Sequence, residues 1–254
     1  MLPCAHLRPP VDSIPAPPFP RDLPWVNVAS LRMDKQRGRP VLVEFWDFCR
    51  PNSIRTLPYL REWHARYAEA GLRVIGVHAS GFAPSASEEA VRAAVERLEV
   101  PYPVAVDLRL EVWDLYGNRG WPARYLWDGR QALHDYHYGE GAYAETERAI
   151  QALLCVEERE PVAPRRPEDV PGAVLAPQSA DQPGAWSGRY GAGGVWAVLE
   201  GRGTVRVNGA QHAVRFTGAH PVIEHERHTE AEVVLEPGAG VTCHAVCFTP
   251  GLAG

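Results

Sequence analysis

Among the 254 residues of this chain, the side chain best suited to covalent chemistry is Cys49, which stands beside Arg50 at the start of a segment with helical periodicity. A neighbouring guanidinium and the N-terminal amides of a helix both stabilise a negative sulfur and lower its pKa. The five cysteines, Cys4, Cys49, Cys155, Cys243 and Cys247, are an odd number at unrelated spacings, and no C-x-x-C pair occurs. This pattern argues against a disulfide framework or a zinc ribbon and fits a reducing compartment. Disulfide exchange needs one thiolate to attack and a second thiol to release the mixed disulfide. A lone Cys49 can therefore turn over only with an external resolving thiol. Cys243 and Cys247 fall on one face of a predicted strand, about 13 Å apart by the strand rise, too far to bond.

A second group with chemical potential is His212, His220, Glu224, His225, His228 and His244. Histidine and glutamate on facing strands can hold a metal, as in cupin-like barrels. Such sites place two histidines two apart with a downstream glutamate, and that spacing is absent. His225 and His228, three apart, would point to opposite faces of a strand. Solvated loop residues are expected, with no metal and no cofactor.

The elements that would position Cys49 are legible from period and punctuation. The run Val41 to Trp46 reads as a buried strand. Arg50 to Glu69, with apolar residues at Ile54, Leu57, Leu60, Trp63 and Tyr67, reads as a helix kinked at Pro58 and closed by Gly71. Leu72 to His78 is a strand, Ser87 to Leu98 a helix, Tyr102 to Val106 a strand and Leu110 to Tyr116 a short helix. Ala123 to Trp127 and Ala132 to Tyr138 flank the turn Asp128-Gly129 as a hairpin, and a helix over Ala142 to Cys155 follows. This alternation gives an α/β sandwich with a mixed sheet, over residues 21–156. Prolines mixed with charges over 157–184 predict a linker. Short strands at Val195 to Leu199, Thr204 to Val207, His212 to Phe216, Ala231 to Leu235 and Val241 to Phe248 predict a small all-β domain over 185–254, of sandwich or jelly-roll type.

Composition narrows the partners. With 26 basic and 31 acidic residues the formal charge is -5, and no basic block gives a footprint for nucleic acid or anionic membrane. No apolar stretch is long enough to span a bilayer. Residues 1–20 carry seven prolines and no continuous apolar core of a secretory signal, so an extended leader and a cytoplasmic location are expected.

Phe45-Trp46, Arg55, Leu57-Pro58, Tyr102-Pro103-Val104-Ala105-Val106-Asp107, Trp121-Pro122-Ala123 and Gly139-Glu140-Gly141 together resemble the C-terminal redoxin region of TlpA/DipZ-type proteins. The resemblance implies a thioredoxin fold followed by a β-sandwich likened to carbohydrate-binding modules, in a family that is usually exported. In that family the junction reads Trp, three residues, Cys, two residues, Cys, with a proline twelve positions beyond the Trp. The interval from Trp46 to Pro58 keeps the twelve. Gapless alignment then puts Arg50 at the attacking cysteine and Ser53 at the resolving one, with Cys49 immediately before; a compensated one-residue shift would make Cys49 the attacker. Glu44 matches the family's buried acid, here expected to pair with a neighbour such as Arg50. Pro122 matches the cis-proline that leaves the preceding backbone free for an extended substrate, with Trp121 and Trp46 as walls of an aromatic groove beside Cys49. Trp113 and Trp127 are expected in the core. A peroxidase would want a hydroxyl residue three positions before the cysteine, and Trp46 stands there.

Two functions follow. In one, Cys49 alone performs thiol chemistry on a thiol- or disulfide-containing protein or small molecule, its thiolate stabilised by Arg50 and its substrate held by Trp46, Ser53, Trp121 and Pro122. In the other, the chain is a redox-inactive scaffold that binds a ligand, a carbohydrate or a protein partner. The β domain could also serve as a cap that buries one face of the redoxin.

Overall fold

A computed structural model describes residues 14–254. The first thirteen residues of the expected leader, with Cys4, lie outside the described residues; the end of the leader bridges Pro15 to Ala132. The N-terminal part contains strands β1 (Trp25–Val26), β2 (Val41–Trp46), β3 (Arg73–Ala79), β4 (Val104–Asp107), β5 (Ala123–Trp127) and β6 (Leu133–Tyr138). Helices α1 (Pro51–Tyr67), α2 (Glu88–Arg97), α3 (Glu111–Leu115) and α4 (Tyr143–Leu154) connect or follow them. The sheet order is β1-β4-β3-β2-β5-β6. β2 pairs in parallel with β3 and β3 with β4, while β5 and β6 are antiparallel, as crossover helices and a hairpin demand. Buried on both faces, β2 carries an apolar run interrupted only by Glu44. α2 starts where the Ser87 hydroxyl accepts a hydrogen bond from the Ala90 amide.

The C-terminal part is all antiparallel. It comprises β7 (Leu175–Ala176), β8 (Gln182–Pro183), β9 (Gly188–Gly201), β10 (Gly203–Val207), β11 (Ala210–Val214), β12 (Gly218–Val233), β13 (Leu235–Pro237), β14 (Val241–Thr249) and β15 (Gly251–Leu252). One sheet runs β12-β9-β14-β8 and a second β11-β10-β13. The chain is thus a thioredoxin fold joined to a small β-rich domain. β12 is far longer than the strand expected from Ala231, and its middle carries Glu, His and Arg at successive positions over 224–228, beside two register shifts. Such a stretch shows no period of two.

Period two does govern β9. Val195, Ala197 and Leu199 face the core of the β domain, whereas Trp196 and Val198 belong to the same apolar cluster as Phe48, Cys49 and Leu57. Ala219, Ala245 and Cys247 join them, and the Ala219 amide donates to the Phe48 carbonyl at 3.2 Å. One face of the β12-β9-β14 sheet therefore lies on the strand-to-helix junction of the redoxin domain. A register shift between Cys243 and Ala245 sends Cys243 into the β core and Cys247 to the interface, so the two thiols do not share a face as the strand period predicts.

The stretch over 157–184 is tied to the thioredoxin-fold part by hydrogen bonds and an ion pair. The Val162 amide donates to Glu147 at 2.6 Å, the Arg165 amide to the Tyr59 hydroxyl at 2.7 Å, and Glu168 pairs with the buried Arg55 at 2.7 Å. Its anchors are single polar contacts rather than an apolar face, so composition conceals them.

Candidate functional site

The loop from β2 to α1 is organised by Asp47, a residue with no signal in the sequence beyond its position. Its carboxylate accepts hydrogen bonds from the Cys49 amide at 2.8 Å, the Gly81 amide at 2.7 Å and the Ser85 hydroxyl at 3.0 Å. His78 on β3 stands 3.7 Å from it, fully buried, stacked on Phe48 and edge-on to Trp46. Burial pushes the Asp47 carboxyl up, but attraction to His78 and the amide hydrogen bonds more than offset it, so its pKa lies below the ordinary value.

This turn points Cys49 inward. Arg50 stands at the N-cap position of α1 and Pro51 takes the first helical position, while the Cys49 side chain is fully buried in the apolar cluster that Trp196, Ala245 and Cys247 of the β-domain sheet share. Burial pushes its thiol far above the ordinary value, and the Asp47 carboxylate adds to this; Ser85 and Arg97 oppose more weakly. The depressed pKa expected from Arg50 and the helix terminus is therefore not found. Desolvation outweighs both, because no water reaches the sulfur. The Cys247 thiol, in the same interface, is raised by burial as well.

Arg50 occupies the outer position. Its guanidinium lies 4.1 Å from the Trp121 ring centroid and 5.0 Å from that of Phe82. Gly81 makes room for it: a Cβ there would come within 2.7 Å of an Arg50 nitrogen. Trp121 donates to the Ala79 carbonyl at 2.8 Å and packs on Trp113 at 4.2 Å. The Trp121-Pro122 bond is cis. Arg50, Asn52 and Trp121 line one side of a groove of about 320 Å³; residues 178–181, Cys247 and Phe248 line the other.

Two expected groove residues lie elsewhere. Trp46 is fully buried against His78 and walls no groove. Ser53 is buried too, its hydroxyl accepting from the Asp47 amide at 3.2 Å, so it closes the loop. Glu44 sits beneath the site, 1 % exposed, with neither carboxylate oxygen hydrogen-bonded. Burial pushes its pKa up to about 8. The opposing charge is Arg124, its register partner on β5, and not Arg50. Farther along α1, Arg55 bridges Glu140 at 3.0 Å and Glu168 at 2.7 Å.

No cluster of three metal-ligating side chains occurs among the described residues. Three histidines of the β domain have protein partners. His225 meets the Tyr190 hydroxyl at 2.9 Å, His244 meets Glu200 at 2.7 Å, and His220 meets the Phe216 carbonyl at 2.9 Å. A carbohydrate platform is likewise unsupported. Sugars stack on exposed rings, but Tyr190, Trp196 and Phe248 are buried, the half-buried Trp186 packs edge-on against Phe248 at 5.8 Å, and Phe216 is covered by Arg97 and His220.

These features define a domain of thioredoxin fold joined to a β-rich domain. Residues 15–135 match the AhpC/TSA family. Over 180 residues, 68% of the chain, the sequence is 32% identical to Protein DipZ of Mycobacterium tuberculosis, and this covers 26% of that relative. The chain thus spans about a quarter of the DipZ proteins it matches. It is 27% identical over 125 residues to the thiol-disulfide oxidoreductase ResA of Halalkalibacterium halodurans, covering 49% of the chain and 66% of that protein. A thiol:disulfide interchange protein DsbE of Chlorobium tepidum superposes on 55% of the chain and 95% of its own with a TM-score of 0.50 and 22% identity. A thiol-disulfide isomerase of Corynebacterium glutamicum gives 0.50 and 24% over 56% of the chain and 98% of its own. No helix among the described residues is long and apolar enough to cross a membrane.

Proposed function

We propose that this chain is a redox-inactive thioredoxin-fold scaffold that holds a protein partner at the groove beside Arg50 and Trp121. The observation that carries the reading is the burial of Cys49 beneath the β-domain sheet with a raised pKa, while Arg50 takes the outward position. A thiol in that state forms negligible thiolate at neutral pH and cannot meet a disulfide in line. The groove keeps what recognition needs: a cationic side chain held flat on an aromatic ring beside the cis-proline loop, and a rim shared by both domains. In this reading residues 21–156 are the scaffold, 157–184 the strap and 185–254 the cap. The buried, unpaired thiols of Cys49, Cys243 and Cys247 fit residence in the reducing cytoplasm.

The competing single-cysteine function requires the sheet to lift from Cys49. Reduction of a glutathione mixed disulfide, with free glutathione as the external thiol, discriminates. We expect equal rates with wild-type protein, with Cys49→Ser and without protein; a wild-type rate at least tenfold above Cys49→Ser overturns the scaffold reading.

A further inference from the structure

A second cavity, of about 760 Å³, opens between α2 and the two turns that join β9 to β10 and β11 to β12. It shares no residue with the groove at Arg50, and its size is that of small-molecule sites. Ala90, Ala93 and Ala94 on α2 form a floor that fills none of the space. Arg97, Arg202 and Arg215 converge on it from three separate elements. None of the three guanidinium groups has a carboxylate within ion-pair distance among the described residues. Two acids reach the cavity: Glu200, engaged by His244 at 2.7 Å, and Glu89, exposed at the rim.

Arg97 is fixed before any ligand arrives. Its guanidinium lies 3.9 Å from the Phe216 ring centroid, and His220 stacks on the same ring at 4.1 Å and 15°. Two groups so close to one ring must take opposite faces, so Phe216 is clamped between them. His220 is itself tied to the Phe216 carbonyl at 2.9 Å. Burial pushes the Arg97 pKa down, the mark of a charge short of compensation. A half-buried cation without a counter-ion is costly, and an anion removes that cost through charge-assisted hydrogen bonds. The arrangement is preorganised, so binding does not have to order it.

We propose that this interdomain cleft binds a small polyanion, a molecule carrying two or more phosphate or carboxylate groups, held by Arg97, Arg202 and Arg215. Because α2 belongs to the redoxin domain and the two turns to the β domain, such a ligand also clamps the domains together.

Isothermal titration of the full chain with pyrophosphate and, separately, with citrate, at constant ionic strength, tests this. The expected result is saturable one-site binding of at least one probe; preference for pyrophosphate assigns phosphate chemistry, and preference for citrate assigns carboxylate chemistry. Arg202 and Arg215 are exposed, so the double variant Arg202→Met/Arg215→Met keeps the fold and should weaken binding by about tenfold or more. Arg97→Met should do the same. Arg189→Met, an exposed position on β9 outside the cleft, should leave affinity within about twofold. The proposal is overturned if neither probe saturates below about 10 mM, or if the double variant binds like wild type.

Discussion

Trp196→Ala removes the bulkiest side chain that the β9 face contributes to the interface with Phe48 and Cys49. Trp196 is 8% exposed and belongs to their cluster. Truncating a buried Trp to Ala costs about 3–5 kcal/mol. If that loss falls on docking of the β domain, the free energy for exposing Cys49 drops by the same amount. Since about 1.4 kcal/mol is a factor of ten, Cys49 should alkylate roughly 100- to 3,000-fold faster. Pulsed labelling with iodoacetamide, followed by mass spectrometry of each cysteine peptide, reads this directly. Cys247 shares the interface and should accelerate with Cys49, while Cys243, across the bulge in the β core, is the internal control. An equal rise at Cys243 would mean global unfolding, and no rise at Cys49 beyond about threefold, about 0.7 kcal/mol, would mean that the sheet does not cover it. Either result refutes the capped-site reasoning.

Glu44 should make stability fall as pH rises. Its folded pKa, about 8, lies above the 4.5 of an ordinary glutamate, so the folded state binds the extra proton and stability is lost through that window by at most about 1.4 kcal/mol per pH unit. Glu44→Gln should flatten denaturation midpoints measured between pH 5 and 8 (about the two reference values); an unchanged slope contradicts the assignment. Glu147→Ala should cost about 3–5 kcal/mol in urea denaturation. Its carboxylate collects Trp63 at 3.0 Å, Tyr67 at 2.7 Å, Arg66 at 3.0 Å and the Val162 amide at 2.6 Å. The variant should also be cut faster by trypsin after Arg159 or Arg165, and unchanged cleavage would show that the strap is held elsewhere.

The redoxin elements were legible because each obeys one period. The apolar run of β2, the face of α1 marked by Leu57, Leu60 and Trp63, and the Asp128-Gly129 turn lie where periodicity and turn chemistry put them. Pro122 was legible through its flanking residues, and its bond is cis. The environment of Cys49 was not. A helix terminus and an adjacent arginine argue for an activated thiol, but the deciding term is a sheet that arrives from residues 188–249, more than a hundred positions away. The alternation of Trp196 and Val198 against Val195 and Ala197 was visible as a strand, yet an apolar outward face names no partner. Asp47 and His78 leave no periodic trace, because one is a single buried carboxylate in a loop and the other a single imidazole in an apolar strand. Cys243 and Cys247 were placed on one face because a bulge is invisible to a period of two.

The central claim, a covered and inert Cys49, is tested most directly by counting reactive thiols in the native protein. At neutral pH the buried thiols are those of Cys49, Cys243 and Cys247. Dithiobis(nitrobenzoate), with each labelled cysteine mapped by mass spectrometry, should leave these three unmodified until the protein is denatured. Prompt labelling of Cys49 at a rate comparable with that of free cysteine, persisting as the pH is lowered toward about 6, would contradict the account and restore single-cysteine chemistry.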